Sequence, residues 1–250
     1  MGLGYGMLLG KWLPRHPEVA ARPRLGAVDG YHRAGKAVPR LHAHSKYLVA
    51  KPPDWGEDDH VTGYWFLPQQ ARFEPQAELA HFLAKGPPPV YIGFGRMPST
   101  DAYRTASVVV EVLAATRTRP VLAKGWGALS AEASTGEVHV VESAPHDWLF
   151  SRCSGVIHHG GAGTTHEGLR WGRPTLVCPV FGDQLFWGRM VERIGVGPSP
   201  IPLSRLNVDL LKAALRELQS KSLQDNAVAL SKTIQMEGGA ETAADLIEAA

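Results

Sequence analysis

From residue 90 onward, short apolar runs alternate with longer stretches of helical spacing, and this alternation constrains the fold of the 250-residue chain more than any other feature. The runs 90–94, 120–123, 138–141, 155–158 and 175–178 are continuous rather than alternating in polarity, as strands buried on both faces are. Helical spacing over 101–117, 164–171, 184–194, 207–218, 223–236 and 240–249 supplies the crossovers between them. The expected class is α/β, a Rossmann-like parallel sheet with helices on both faces. In such open sheets a ligand sits beyond the carboxyl ends of the strands, so the chemistry belongs just after each apolar run.

The first part of the chain reads differently. Residues 1–46 carry Pro14, Pro17, Pro23, Gly26, Gly30, Gly35 and Pro39 and little periodicity, so they do not read as a self-sufficient domain. Two extended pieces are expected at 47–50 and 61–66, with an acidic turn at 54–59 between them, and 68–75 has linker character. Residues 1–50 hold eight Lys and Arg against two acids, while the whole chain is only +2. Those cations stand singly among Gly, Pro and Leu, which argues for a solvated surface and against a nucleic-acid partner. Cys153 and Cys178 both lie in apolar surroundings, as reduced, buried thiols do, so a cytoplasmic location is expected. No apolar stretch approaches the ~18 residues of a membrane-spanning helix.

The stretch that carries chemistry is Val156-Ile-His-His-Gly-Gly-Ala-Gly-Thr-Thr-His-Glu167. It reads as a strand, a glycine turn and a helix start. Gly160, Gly161 and Gly163 let backbone approach a ligand closely, and the helix end adds roughly half a positive elementary charge, which suits a phosphate or pyrophosphate. Such a turn also serves packing alone. The P-loop pattern is missing, and the dinucleotide pattern breaks at its third glycine. No metal site is expected: His166-Glu167 lacks the second histidine of a zincin, and His158 and His159, successive on a strand, point to opposite faces. One of those two packs inward, and the other can face an anion.

The run His158-His-Gly-Gly-Ala-Gly-Thr-Thr165, followed by Pro174-Thr-Leu-Val-Cys-Pro-Val-Phe-Gly-Asp-Gln184, resembles the UDP-glycosyltransferases of the GT-B fold, in particular the sterol and lipid glucosyltransferases and the antibiotic glycosyltransferases. Further matching pieces are Val90-Tyr-Ile-Gly-Phe-Gly95, Gly125-Trp-Gly127 and Ala144-Pro-His-Asp-Trp-Leu-Phe150. The family places an acid eight residues after the phosphate histidine and an acid–Gln pair 24 residues after it. Counted from His159, these are Glu167 and Asp183-Gln184. The resemblance covers about 46–235.

The resemblance implies that His159 and the amides around Gly161, Ala162, Gly163 and Thr164 hold the diphosphate of a UDP-sugar. It gives Glu167 the ribose hydroxyls and Asp183 and Gln184 the hexose. It sets Trp126 and the Ser143-Ala144 backbone near the base and counts Gly95 and Arg96 among the donor-binding residues. Asp183 could instead cap the following helix, Trp126 could be a core aromatic, and Trp148 and Phe150 are read as anchors of a turn in the core. Arg96 stands where relatives often have Ser, and a surface or phosphate-edge position is expected for it. No cofactor is implied beyond the UDP-sugar itself, and no metal.

Two domains are expected, 1–68 as a remnant of an acceptor domain with its linker and 69–250 as the nucleotide-sugar donor domain. His16, His32, His42 and His44 lack the motif of the family's general base, so no catalytic residue is assigned here. The implied reaction is inverting, metal-independent transfer of a hexose, glucose, from a UDP-sugar to a hydroxyl of a sterol, lipid or natural product. The acceptor is a hydrophobic small molecule, and peripheral membrane contact is compatible with it. Two other functions stay open: a nonenzymatic nucleotide-sugar-binding or partner subunit, and a GT-B-like sugar-nucleotide epimerase.

Overall fold

The computed structural model describes residues 38–67, 73–95, 102–124 and 137–249, and the backbone of two short strands before them. In chain order, β1 (His32–Arg33) and β2 (Lys36–Ala37) pair antiparallel, and β3 (Arg40–His42) and β4 (Asp59–Val61) pair parallel. There follow α1 (Ala77–Ala84), β5 (Val90–Gly93), α2 (Ala102–Thr116), β6 (Pro120–Ala123), β7 (His139–Val141), α3 (His146–Phe150) and β8 (Gly155–His158). The chain continues with α4 (Ala162–Arg170), β9 (Thr175–Val177), α5 (Gln184–Arg193), a 3₁₀ turn at Leu203–Arg205, α6 (Val208–Leu218), α7 (Lys221–Gln235) and α8 (Ala240–Glu248).

Strands β5 to β9 form one parallel sheet in the order β7-β6-β5-β8-β9. Consecutive strands run outward from β5 on one side and from β8 on the other, so the order reverses between β5 and β8. Their register sets Gly93 opposite His158, and the crevice beyond that pair is where a doubly wound sheet holds its ligand.

Side-chain alternation sorts the strands onto two faces. Val90, Ile92, Leu122, Val140, Ile157 and Leu176 pack with Val109 and Val112 of α2 and Leu211, Leu215 and Leu218 of α6. Tyr91, Val121, Val141 and Val156 face the other way, toward Leu79 and Phe82 of α1 and Leu149 and Phe150 of α3. Each fully buried aliphatic side chain contributes roughly 1.5–3 kcal/mol, and both faces are covered, which is why the strands tolerate no polar alternation. Phe150 anchors this second face as expected, and α1 is an element that the sequence reading passed over.

The segment before the sheet departs from expectation at 47–50, which is a turn and not an extended piece. Ser45 causes it: its carbonyl accepts from the amides of Leu48 and Val49, and its Oγ accepts from the Tyr47 amide at 3.2 Å. Leu48 then enters a third apolar cluster with Leu169, Val191, Val196, Ala227 and Ile234. The β3–β4 pair is locked by Arg40, whose Nε and second guanidinium nitrogen each donate to Asp59 at 2.6 Å. Beyond β4 the chain is irregular, and the Gly239 amide donates to the Thr62 carbonyl, tying this segment to the start of α8. The expected boundary between 68 and 69 falls within 68–72, outside the described residues.

Candidate functional site

The carboxyl ends of β5 and β8 bring Gly95 and His159 together. A Cβ on Gly95, which adopts φ +68°, would lie 3.4 Å from the His159 ring. A Cβ on Gly161 would lie 2.9 Å from its Nε2. Glycine at both positions therefore makes room for the imidazole in the crevice. The His159 Nδ1 is buried and has no hydrogen-bond partner among the described residues. Burial lowers the pKa of His159, and the carboxylate of Asp183 acts in the opposite direction.

His158 is the inward-packing member of the pair. It is fully buried, and its Nδ1 accepts from the Gly160 amide at 2.9 Å, holding the turn that starts α4. Gly160 has φ +99°, and a Cβ there would sit 2.6 Å from Val177 and 2.9 Å from the Gln184 carbonyl oxygen. The glycine turn is thus seated directly against the start of α5.

No side chain caps α4, whose N-cap is Gly161, so the first-turn amides of Ala162, Gly163 and Thr164 are left to face the crevice. Thr165 is turned inward, its hydroxyl donating to the Gly161 carbonyl at 3.0 Å. Further along the helix, Glu167 accepts from the Trp171 indole at 2.8 Å and from Arg170 at 3.5 Å through one oxygen. Burial raises its pKa.

Asp183 does not cap α5. Its Oδ2 instead accepts from the Trp187 indole at 2.8 Å on the exposed side of the loop. Gln184 is buried, and its side-chain oxygen accepts from the Val180 and Phe181 amides at 2.7 and 3.1 Å. That oxygen shapes the loop, which leaves the amide nitrogen for other partners. Val180, Phe181, Leu185 and Phe186 are exposed around this pair, 39–63% accessible, an apolar rim beside an acid.

A cleft of about 530 Å³ lies alongside α4, lined by Ser143, Ala144, His146, Gly163 and Glu167 and closed by Tyr64 and Phe66. Ser143, Ala144, Gly163 and Glu167, proposed from sequence, are therefore neighbours in space. Arg96 and Trp126 lie outside the described residues. The cleft also has lining residues that were not among the sequence-predicted site residues, His146, Tyr64 and Phe66 among them. His146 backs the cleft, hydrogen-bonded to the Tyr91 hydroxyl at 3.3 Å and stacked on Phe150, with its pKa lowered by burial and by His159. Tyr64 and Phe66 come from the irregular chain after β4, and their only signal was an aromatic cluster following a glycine.

Among solved structures, the glycosyltransferase of kitacinnamycin superposes with a TM-score of 0.70 at 22% identity, covering 97% of this chain and 60% of that one. A UDP-glucose:anthocyanidin 3-O-glucosyltransferase solved with UDP superposes at 0.60 and 22% identity, over 71% of this chain and 44% of that one. These likenesses define the class as the GT-B glycosyltransferase fold. Residues 128–248 match the family model for the erythromycin biosynthesis protein CIII-like C-terminal domain. Two sterol 3-beta-glucosyltransferases of Arabidopsis thaliana are 41% and 39% identical over 86% and 90% of this chain, and one from Penicillium rubens is 41% identical over 82%. The chain is thus similar in sequence to the sterol 3-beta-glucosyltransferases and shares the fold of the GT-B glycosyltransferases. It spans 35% of the length of each plant relative and 16% of the fungal one.

Proposed function

We propose that this chain carries the donor site of an inverting, metal-independent glycosyltransferase that moves a hexose, glucose, from a UDP-sugar to a hydroxyl of a sterol, lipid or natural product. The observation that carries this reading is the convergence of Gly95, His159 and the uncapped end of α4 on one crevice, with a cleft beside it that holds Ser143, Ala144, Gly163 and Glu167.

In this reading the diphosphate lies against His159 and the amides of Gly161, Ala162, Gly163 and Thr164. The base lies by Ser143 and Ala144. Glu167 accepts from ribose hydroxyls through the carboxylate oxygen that Trp171 does not use. Asp183 accepts from hexose hydroxyls and Gln184 donates to them through its amide nitrogen, which together distinguish a sugar from water. As the glycosidic bond breaks, negative charge grows on the β-phosphate. A preformed helix end and a ring N–H aimed at that oxygen stabilise it without reorganising at the moment of reaction. The exposed rim of Phe181, Leu185 and Phe186 beside Asp183 supports a hydrophobic acceptor arriving at the sugar. The base that takes the acceptor proton is assigned, through the family resemblance, to an acceptor-binding half.

Calorimetric titration of the 250-residue chain with UDP, with and without EDTA, tests the reading. Saturable binding that chelator leaves unchanged is expected. Binding that disappears with EDTA would defeat the helix-end account, and no binding at all would defeat the donor site.

A further inference from the structure

Tyr64 belongs to no strand or helix, yet its position is fixed from several sides. The preceding Gly63 adopts φ +91°, and the Tyr64 carbonyl is close enough to Gly239 that a Cβ there would meet it at 2.7 Å. The Tyr64 ring stacks on His166, with centroids 4.4 Å apart and planes 16° from parallel, and its other neighbour is Phe66 at 5.0 Å. His166 is itself held at both nitrogens, by the Ala162 carbonyl at 2.8 Å and the Ser45 amide at 3.2 Å. A distant segment thus lays an aromatic ring against the first turns of α4.

The hydroxyl at the end of that ring has no hydrogen-bond partner among the described residues, although the side chain is only half-exposed. It stands over Gly163, where a Cβ would come within 2.9 Å of its oxygen, and it lines the cleft. Gly163 and Glu167 are four residues apart and share one face of α4. The hydroxyl therefore stands over the helix end, in the cleft that Glu167 also lines. Burial and the Glu167 charge both raise its pKa, which keeps it a protonated donor at neutral pH.

We propose that the Tyr64 hydroxyl is a substrate contact that hydrogen-bonds a nucleoside diphosphate where its ribose joins the first phosphate. This rests on the donor-site reading above. It gives the segment between β4 and the sheet a part in donor recognition, and it explains why position 163 has no side chain: any Cβ would displace the hydroxyl. A phenol both donates and accepts, so it serves a phosphate oxygen or a ribose hydroxyl equally well.

The test compares UDP and UMP binding to the wild-type chain, Tyr64→Phe and His159→Ala, with the melting temperature of each protein measured without ligand. Phenylalanine retains the stack on His166 and removes only the hydroxyl. Tyr64→Phe is expected to weaken UDP and UMP alike, by about 5–20-fold, with an unchanged melting temperature. Wild-type affinity in Tyr64→Phe alongside a weakened His159→Ala would overturn the proposal and leave the donor site standing. A melting temperature that falls together with affinity would make Tyr64 a folding residue and also overturn it. If the wild-type chain binds neither nucleotide, both the proposal and the donor site fail.

Discussion

His158 and His159 are successive residues whose substitution should separate folding from binding. His158 is enclosed and accepts from the amide that begins the glycine turn, so His158→Ala leaves a cavity and an unpaired Gly160 N–H. A loss of about 2–4 kcal/mol in urea unfolding is expected. His159 is partly open to the crevice, and His159→Ala should retain that stability while weakening UDP by roughly 1–3 kcal/mol in calorimetry. Equal effects on both properties would contradict the division. Asp183 offers a second comparison, because among the described residues its side chain is hydrogen-bonded to Trp187 and to no residue of the glycine turn. Asp183→Ala is expected to reduce UDP-glucose affinity and spare UDP. Gln184→Ala should loosen the loop as well, since the Val180 and Phe181 amides lose their acceptor. His159, Glu167 and Asp183 were legible only through the motif spacing of the family that the sequence resembles, since the residues by themselves left open which of His158 and His159 packs inward. Gln184's second duty was not, since a side chain that bonds its own loop leaves no periodic trace.

At the level of elements, the sheet was readable because continuous apolar runs have few other homes, whereas the chain before it was not. Tyr47-Leu-Val-Ala50 has strand composition, but Ser45 captures the local amides and bends it. Tyr64 and Phe66 act on a helix about 100 positions away, a contact that no local pattern announces. The junction of that segment with α4 has a pH signature. Burial holds His166 down at about 4, against an ordinary value of 6.5. The unfolded chain therefore binds its proton first, and stability present above pH 6.5 is lost as pH falls toward 4. The difference amounts to about 3 kcal/mol for this one group. Asp59, held low chiefly by its hydrogen bonds to Arg40, loses its contribution only below the ordinary carboxylate range, so the two windows do not overlap. Urea midpoints at pH 7.5 and 4.5 should differ less in His166→Gln than in the wild type, and an unchanged difference would place the titration elsewhere.

For the molecule as a whole, the question is whether the chain before the sheet is a tail or part of the folding unit. Its strands β3 and β4 are three residues each and cannot hold together unaided. What holds them is burial: Leu48 is 1% exposed and packs with Leu169 of α4, Val191 of α5, Val196, and Ala227 and Ile234 of α7. Of these elements α4 packs on β8 and β9 and α5 packs on β9, so the cavity left by Leu48→Ala would open inside the same body that carries the glycine turn. A loss of about 2–4 kcal/mol is expected, with fluorescence and circular dichroism changing together in one transition. A tail would behave otherwise, since its truncation leaves the core untouched and the transition midpoint in place. If Leu48→Ala leaves that midpoint within error of wild type, or splits the transition in two, the segment folds apart from the sheet. In that case Tyr64 could not be held over α4 firmly enough to contribute to binding.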